Sequence, residues 1–216
     1  MIPVTTATEP STFESQVRTP GLRAIAERVG EKPKRTAGKA FTKLATRRED
    51  IPSSAFPTYW TLCIDDLMTA YDFICAYSCF RIHKVTGAAS VDHMAPKSRR
   101  WDRVYEWTNY RLACSRMNAR KNNFEDLIDP FEVQEDWFQL ELVGFEVFAN
   151  PTLDPVIRAK VETTVLRLRL NDFSDDRATD AENYWSGEVS MKILQQESPF
   201  VAKELIRQGR TITNNA

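Results

Sequence analysis

The stretch from Ala88 to Asn123 constrains this chain most. It holds His93, one of only two histidines in the protein, directly after Asp92. It also holds two well-separated asparagines, Asn109 and Asn118. Its charge is lopsided, with eight Lys/Arg against three acidic residues. A general base, hard oxygen donors and cations within one short stretch point to metal-assisted phosphodiester chemistry. A fold that uses them together must run out, turn and come back within this segment.

Phosphodiester hydrolysis needs a proton taken from water, a stabilised leaving oxygen and an offset for the extra phosphate charge. Histidine, titrating near neutrality, suits the first task. A divalent ion suits the other two. Magnesium takes oxygen ligands and keeps several waters, so one carboxylate and one amide oxygen suffice.

Local pattern supports that division. Ala88–Val91 reads as a short strand leading into Asp92-His93. Neighbours at a strand end point to opposite sides, so one can face a metal and the other the attacking water. Tyr110–Ala113 reads as a second strand opened by Asn109. SRMNARKNN reads as a short helix bringing Asn118 back toward Asp92.

These residues resemble the HNH nuclease family and its ββα-metal fold. The resemblance covers about Cys75–Asn123. DHMAPKS fits the form DH-x-x-P-K-S, and TNYRLACSRMNARK fits N-x-x-x-x-C-x-x-C-N-x-x-K except at one cysteine. The resemblance implies His93 as general base and Mg²⁺ or Mn²⁺ held by Asp92 and Asn118. It also implies Asn109 as the residue orienting the loop and His93, through a backbone or imidazole hydrogen bond. The products would carry a 5′-phosphate and a 3′-hydroxyl. The chain is also similar to stand-alone HNH effectors of bacterial anti-phage systems, of the retron-associated and Septu type. Those commonly work with an ATPase, which implies DNA as substrate and an ATPase or other defence-complex subunit as partner.

Many family members carry two Cys-x-x-Cys knuckles around a structural zinc. Here the corresponding pairs are Cys75/Ser78 and Cys114/Met117. Tetrahedral zinc needs four good ligands, and only Cys79 and His83 are at hand to complete a set. The expectation is a zinc-free core in which Cys75, Cys114 and Met117 pack.

Lys97, Arg99, Arg100 and Arg103 fall between the two strands, while Arg111, Arg116, Arg120 and Lys121 flank the helix. Such a run is ordinarily a solvated face. Beside a phosphodiesterase site, Lys97, Arg99, Arg100, Arg116, Arg120 and Lys121 become expected phosphate contacts. No element reads as a base-recognition helix, so sequence specificity should be weak.

The remaining chain frames this unit. Residues 1–20 are Thr/Ser/Pro-rich and aperiodic, and read as disordered or draped over another surface. Leu22–Val29 reads as an amphipathic helix and Gly30–Lys39 as a mobile basic loop. Ten basic residues against two acidic ones between Arg18 and Arg48 give either a solvated tail or a non-specific phosphate clamp. Tyr59–Ser78 has helical periodicity, with Leu62, Leu67, Tyr71, Ile74 and Cys75 as its buried stripe. Phe124–Pro155 carries nine acidic and no basic residues, so it reads as a partner-docking surface or as ordinary core and edge. Within it, alternation around Gly144 predicts a β-hairpin. Asp154-Pro155 and Ser198-Pro199 each place a cap before a proline, opening helices at 156–170 and 200–208, with another over 175–196. The terminal 210–216 reads as frayed.

The expected class is therefore α+β: a ββα-metal HNH core with N-terminal helices and a helical C-terminal extension. The parts are a basic, partly disordered arm at 1–57, the nuclease core at 58–125, and a hairpin plus helices at 126–216. Four cysteines are too few for a disulfide scaffold. No apolar run reaches the roughly 20 residues a membrane span needs, and no secretory signal is legible, so a cytoplasmic protein away from membranes is expected. A second class of function is a catalytically silent HNH-fold module for nucleic-acid binding or assembly. RNA is the alternative substrate.

Overall fold

The computed structural model describes residues 1–32 and 38–212. Part of the expected mobile loop, 33–37, and the tip of the expected frayed tail, 213–216, lie outside the described residues. The protein is a mixed α+β chain with two small two-stranded sheets. The first sheet is β1 (Ala89–His93) antiparallel to β2 (Tyr110–Cys114), in a register that sets Val91 opposite Leu112, Asp92 opposite Arg111 and His93 opposite Tyr110. α3 (Ser115–Lys121) follows β2 without a break and packs on both strands.

The second sheet is the expected hairpin, β3 (Phe138–Leu140) with β4 (Val147–Ala149). Its turn is held by the Glu141 carboxylate, which accepts from the amides of Val143, Gly144 and Glu146. The C-terminal helices are α4 (Pro155–Leu168), α5 (Ser174–Trp185), α6 (Met191–Glu197) and α7 (Pro199–Arg207). Asp154 caps α4 through the amides of Val156 and Ile157, as its sequence position predicts. The single helix expected over 175–196 is two. Gly187, at φ +81°, sits in the left-handed region and ends the run between α5 and α6.

Of the two readings of residues 1–20, the draped one is what forms. Residues 1–20 drape over this chain's own core: Met1, Phe13 and Val17 are buried, and Glu14–Arg18 is a π-helical turn running into α1 (Thr19–Arg28). Phe13 meets Trp107 and Tyr110 edge-on, with ring centroids 5.6 and 5.7 Å apart. The Trp107 indole donates to the Ala7 carbonyl at 2.8 Å. These anchors bury aromatic surface that a Thr/Ser/Pro count does not register. Further along, α1 crosses Tyr105 at Gly21, where a Cβ would lie 2.3 Å from the ring.

The helix expected over Tyr59–Ser78 is shorter. Tyr59–Cys63 is a 3₁₀ turn and α2 (Ile64–Ala70) ends before Asp72 and Phe73, both at positive φ. Leu62 is exposed rather than part of a buried stripe, while Leu67 and Cys75 are buried. Residues of all three sequence segments share one hydrophobic cluster, from Phe13 and Ile25 through Val91 and Leu112 to Val161 and Leu205. Among the described residues no helix is long and apolar enough to cross a membrane.

Candidate active site

A cavity of about 410 Å³ opens where β1 meets α3, lined by Trp60, Ser90, Asp92, His93, Lys97 and Asn118 among others. The strand alternation works as expected, sending the Asp92 and His93 side chains into different surroundings. His93 lies among rings, edge-on to Trp60 (4.8 Å) and Tyr110 (5.1 Å). Its Nε2 is 3.0 Å from the Val104 carbonyl. A carbonyl only accepts, so Nε2 carries the proton and neutral His93 presents Nδ1 as the acceptor. Nδ1 has no hydrogen-bond partner among the described residues. Burial, aided by the nearby Lys97 charge, pushes the imidazole down to about 3. His93 is therefore uncharged throughout the neutral range.

Asp92 lines the same cavity with different partners. The Tyr77 hydroxyl donates to its Oδ2, and Lys121 Nζ lies 3.8 Å from Oδ1. Burial pushes this carboxyl up, against the pull of Lys121 and the Tyr77 hydrogen bond. A buried carboxylate in that position favours a cation beside it.

Asn118 sits mid-helix on α3. Its amide nitrogen donates to Ser90 Oγ and to the Val91 carbonyl, both at 3.2 Å. With the nitrogen tied to β1, Oδ1 accepts no hydrogen bond among the described residues and remains as a hard oxygen donor at the cavity. Among the described residues no three His, Cys, Asp or Glu side chains gather into a metal cage. The oxygen-bearing side chains at the cavity that could hold a metal are the Asp92 carboxylate and the Asn118 amide. That suits a hard cation which keeps most of its waters, and the cavity has room for them.

Asn109 is buried and does not reach the imidazole. Its Oδ1 accepts from the Ala95 amide at 2.7 Å, while Nδ2 donates to the carbonyls of Ala95 and Arg103 at 3.2 and 2.9 Å. One side chain thus closes the loop between the strands at both ends. Its only link to His93 runs along the backbone: Val104, whose carbonyl meets His93 Nε2, is the residue after Arg103, and among the described residues the Asn109 side chain makes no bond to the imidazole.

The cations divide. Lys97 lies at the cavity with Nζ 4.3 Å from the Trp60 ring centroid. Arg99 and Arg100 are exposed and paired with Glu125 and Asp102. Arg116 is exposed and rests on the Phe173 ring at 4.6 Å. Arg120 and Lys121 are spent on the fold. Arg120 donates to the Leu168 and Arg169 carbonyls and pairs with Asp172, satisfying the end of α4. Lys121 is fully buried and donates to the carbonyls of His93 and Met94. The expected phosphate role for these two gives way because their donors are already engaged.

Three of the N-terminal cations that suggested a clamp are also paired within the chain. Arg18 pairs with Glu9, Glu14 and Glu106, and Arg47 and Arg48 with Asp50 and Glu31. In the acidic segment, Asp129 pairs with Arg111, Asp126 with Arg167, and Glu135 with Lys203. Much of its charge is internal.

The knuckle positions converge. Cys75 and Ser78 are buried, Cys114 is half-buried, and both cysteines are free thiols. Burial pushes the Cys75 thiol up, but the neighbouring Cys114 and Ser78 outweigh that and bring it down to about 6. Met117 is buried beside them in sequence, and His83 lies exposed, 3.5 Å from Glu197.

Two site residues were not singled out from sequence. Trp60 falls outside the helical stripe of its segment, and Tyr77 gives no signal in spacing because it approaches Asp92 only through the turn after α2. Compared with known proteins, the chain matches no family model and no curated protein.

Proposed function

We propose that this chain is a metal-dependent endonuclease of the HNH type that hydrolyses DNA phosphodiester bonds. One observation carries the reading: His93 is locked as the Nε2–H tautomer by the Val104 carbonyl, at a cavity shared with Asp92 and Asn118. The strand–strand–helix order of β1, β2 and α3 supports the ββα-metal reading of this unit.

In the proposed reaction, His93 Nδ1 takes the proton of the attacking water. Trp60 and Tyr110 hold the ring edge-on and keep bulk water from it. Asn109 fixes the loop on which Val104 rides. Lys97 places positive charge where the phosphate would enter. Asp92 and Asn118 would hold Mg²⁺ or Mn²⁺, which when bound supplies charge to the phosphate and its leaving oxygen.

A second reading has one observation of its own. Asp92 is already engaged by Tyr77 and Lys121, as expected of a silent HNH-fold module that binds or assembles without cutting. Plasmid nicking with Mg²⁺ separates the two. Wild type should nick, and His93→Ala should lose at least about a hundredfold, the usual worth of a general base. Cleavage surviving His93→Ala would end the mechanism. Binding of DNA without any cleavage favours the silent module. The family resemblance also supports a defence effector working with an ATPase subunit, which co-purification with its neighbouring gene product would test.

A further inference from the structure

Lys121 ends α3 with no exposed surface. Lysine is almost never buried this fully unless paired, because an ammonium loses its hydration. Here Nζ donates to the carbonyls of His93 (2.7 Å) and Met94 (2.8 Å), and it lies 3.8 Å from Asp92 Oδ1. An ammonium has three protons and no acceptor. Two go to the successive carbonyls that flank the Met94 Cα, the first of them in the His93–Met94 peptide, leaving the third for the Asp92 side.

Asn118 lies three residues earlier, on the same helix face. It grips Ser90 and Val91, while Lys121 grips 93 and 94. α3 therefore holds β1 at two points that bracket Asp92. Of the other groups near this carboxylate, Arg111 is bound to Asp129 and stacked on Phe131, Tyr77 is neutral and donating, and Lys97, which also feels the Asp92 charge, sits over the Trp60 ring without an ion pair or hydrogen bond to Asp92 among the described residues.

We propose that Lys121 is a positioning residue with two effects: it fixes the peptide that aims the His93 imidazole, and it is a resident counter-ion that competes with a divalent cation for Asp92. The proposal rests on the nuclease reading of the same cavity. Removing the lysine charge should tighten divalent-cation binding, because two cations beside one carboxylate repel. Removing its hydrogen bonds should loosen the imidazole.

The test compares wild type with Lys121→Met and Lys121→Arg, each checked first by melting temperature. Mn²⁺ affinity is read by electron paramagnetic resonance without DNA. The His93 tautomer is read by nitrogen-15 NMR, which is tractable because His83 is the only other histidine. Lys121→Met should bind Mn²⁺ about tenfold tighter, roughly 1.4 kcal/mol, show mixed His93 tautomers and nick DNA more slowly. A lysine with a merely structural role would not give tighter binding with slower turnover. Lys121→Arg keeps the charge but not the compact ammonium. It should stay within about twofold of wild-type Mn²⁺ affinity while the tautomers mix.

Unchanged or weaker Mn²⁺ binding in Lys121→Met, or a single His93 tautomer in both variants, overturns the proposal, as does a wild type that binds no Mn²⁺. If Lys121→Met does not fold, a single tautomer in Lys121→Arg overturns it alone. A wild type that binds Mn²⁺ but never cuts DNA ends the nuclease reading instead, with the Lys121 measurements still decisive.

Discussion

The Val104 carbonyl accepts two hydrogen bonds, from His93 Nε2 at 3.0 Å and from the Tyr110 hydroxyl at 2.8 Å. His93 and Tyr110 are also cross-strand partners in the β1–β2 register. The pairing of the strands and the aim of the imidazole therefore meet at one backbone oxygen. Tyr110→Phe removes one of the two donors and leaves His93 its own. Stability should fall by about 1 kcal/mol, the net worth of one hydrogen bond, measured by urea unfolding. Nicking should stay within about threefold of wild type, because the tautomer-fixing bond survives.

The depressed His93 imidazole makes stability depend on pH, and the sign can be worked out. Folded, it titrates near 3; unfolded, near its ordinary value of 6.5. Between these values the unfolded chain binds the extra proton, so stability is fully present above 6.5 and is lost as pH falls toward 3. The slope from this one group is at most about 1.4 kcal/mol per pH unit. His93→Gln should remove that slope. Urea midpoints measured from pH 7 to pH 4 should fall more steeply for wild type than for the variant; parallel curves would contradict the assignment.

Asn109 makes three hydrogen bonds to the loop between the strands from a buried position. Asn109→Ala should cost about 2–4 kcal/mol, since it leaves buried backbone groups unpaired. Activity should fall further than stability explains, because the loop carries Val104. Hydrogen exchange would show the 94–104 amides opening in the variant while β2 stays protected.

What was legible in the sequence follows from how local each determinant is. β1, β2 and α3 are set by alternation and by short spacing, and they form where the pattern puts them. The prolines that open α4 and α7 are equally local, but only Asp154 caps its helix; the Ser198 hydroxyl donates to Asp180 instead. The basic run was harder to interpret. Lys97 and Lys121 are the same residue type in the same motif, yet one lines the cavity and the other is sealed beneath β1. Only the tertiary partners separate them. Tyr77 and Trp60 reach the site through turns whose direction no periodicity encodes. The arm at 1–20 leaves its two readings open in the sequence because Phe13 and Val17 anchor it singly, without a repeat.

Arg111 tests the same distinction. It looks like one more phosphate cation, but it is buried, forks onto Asp129, donates to the Thr108 and Tyr110 carbonyls, and lies 3.6 Å from the Phe131 ring centroid. Arg111→Ala strands Asp129 and should cost about 3–5 kcal/mol, as breaking a buried pair does. Lys at this position should recover little, because it lacks the planar fork and the stacking face. DNA affinity per folded molecule should hardly change, since none of these donors faces outward. Urea unfolding beside a DNA-binding titration at matched folded fraction measures both. A folded Arg111→Ala with weakened DNA binding would return this residue to the nucleic-acid interface.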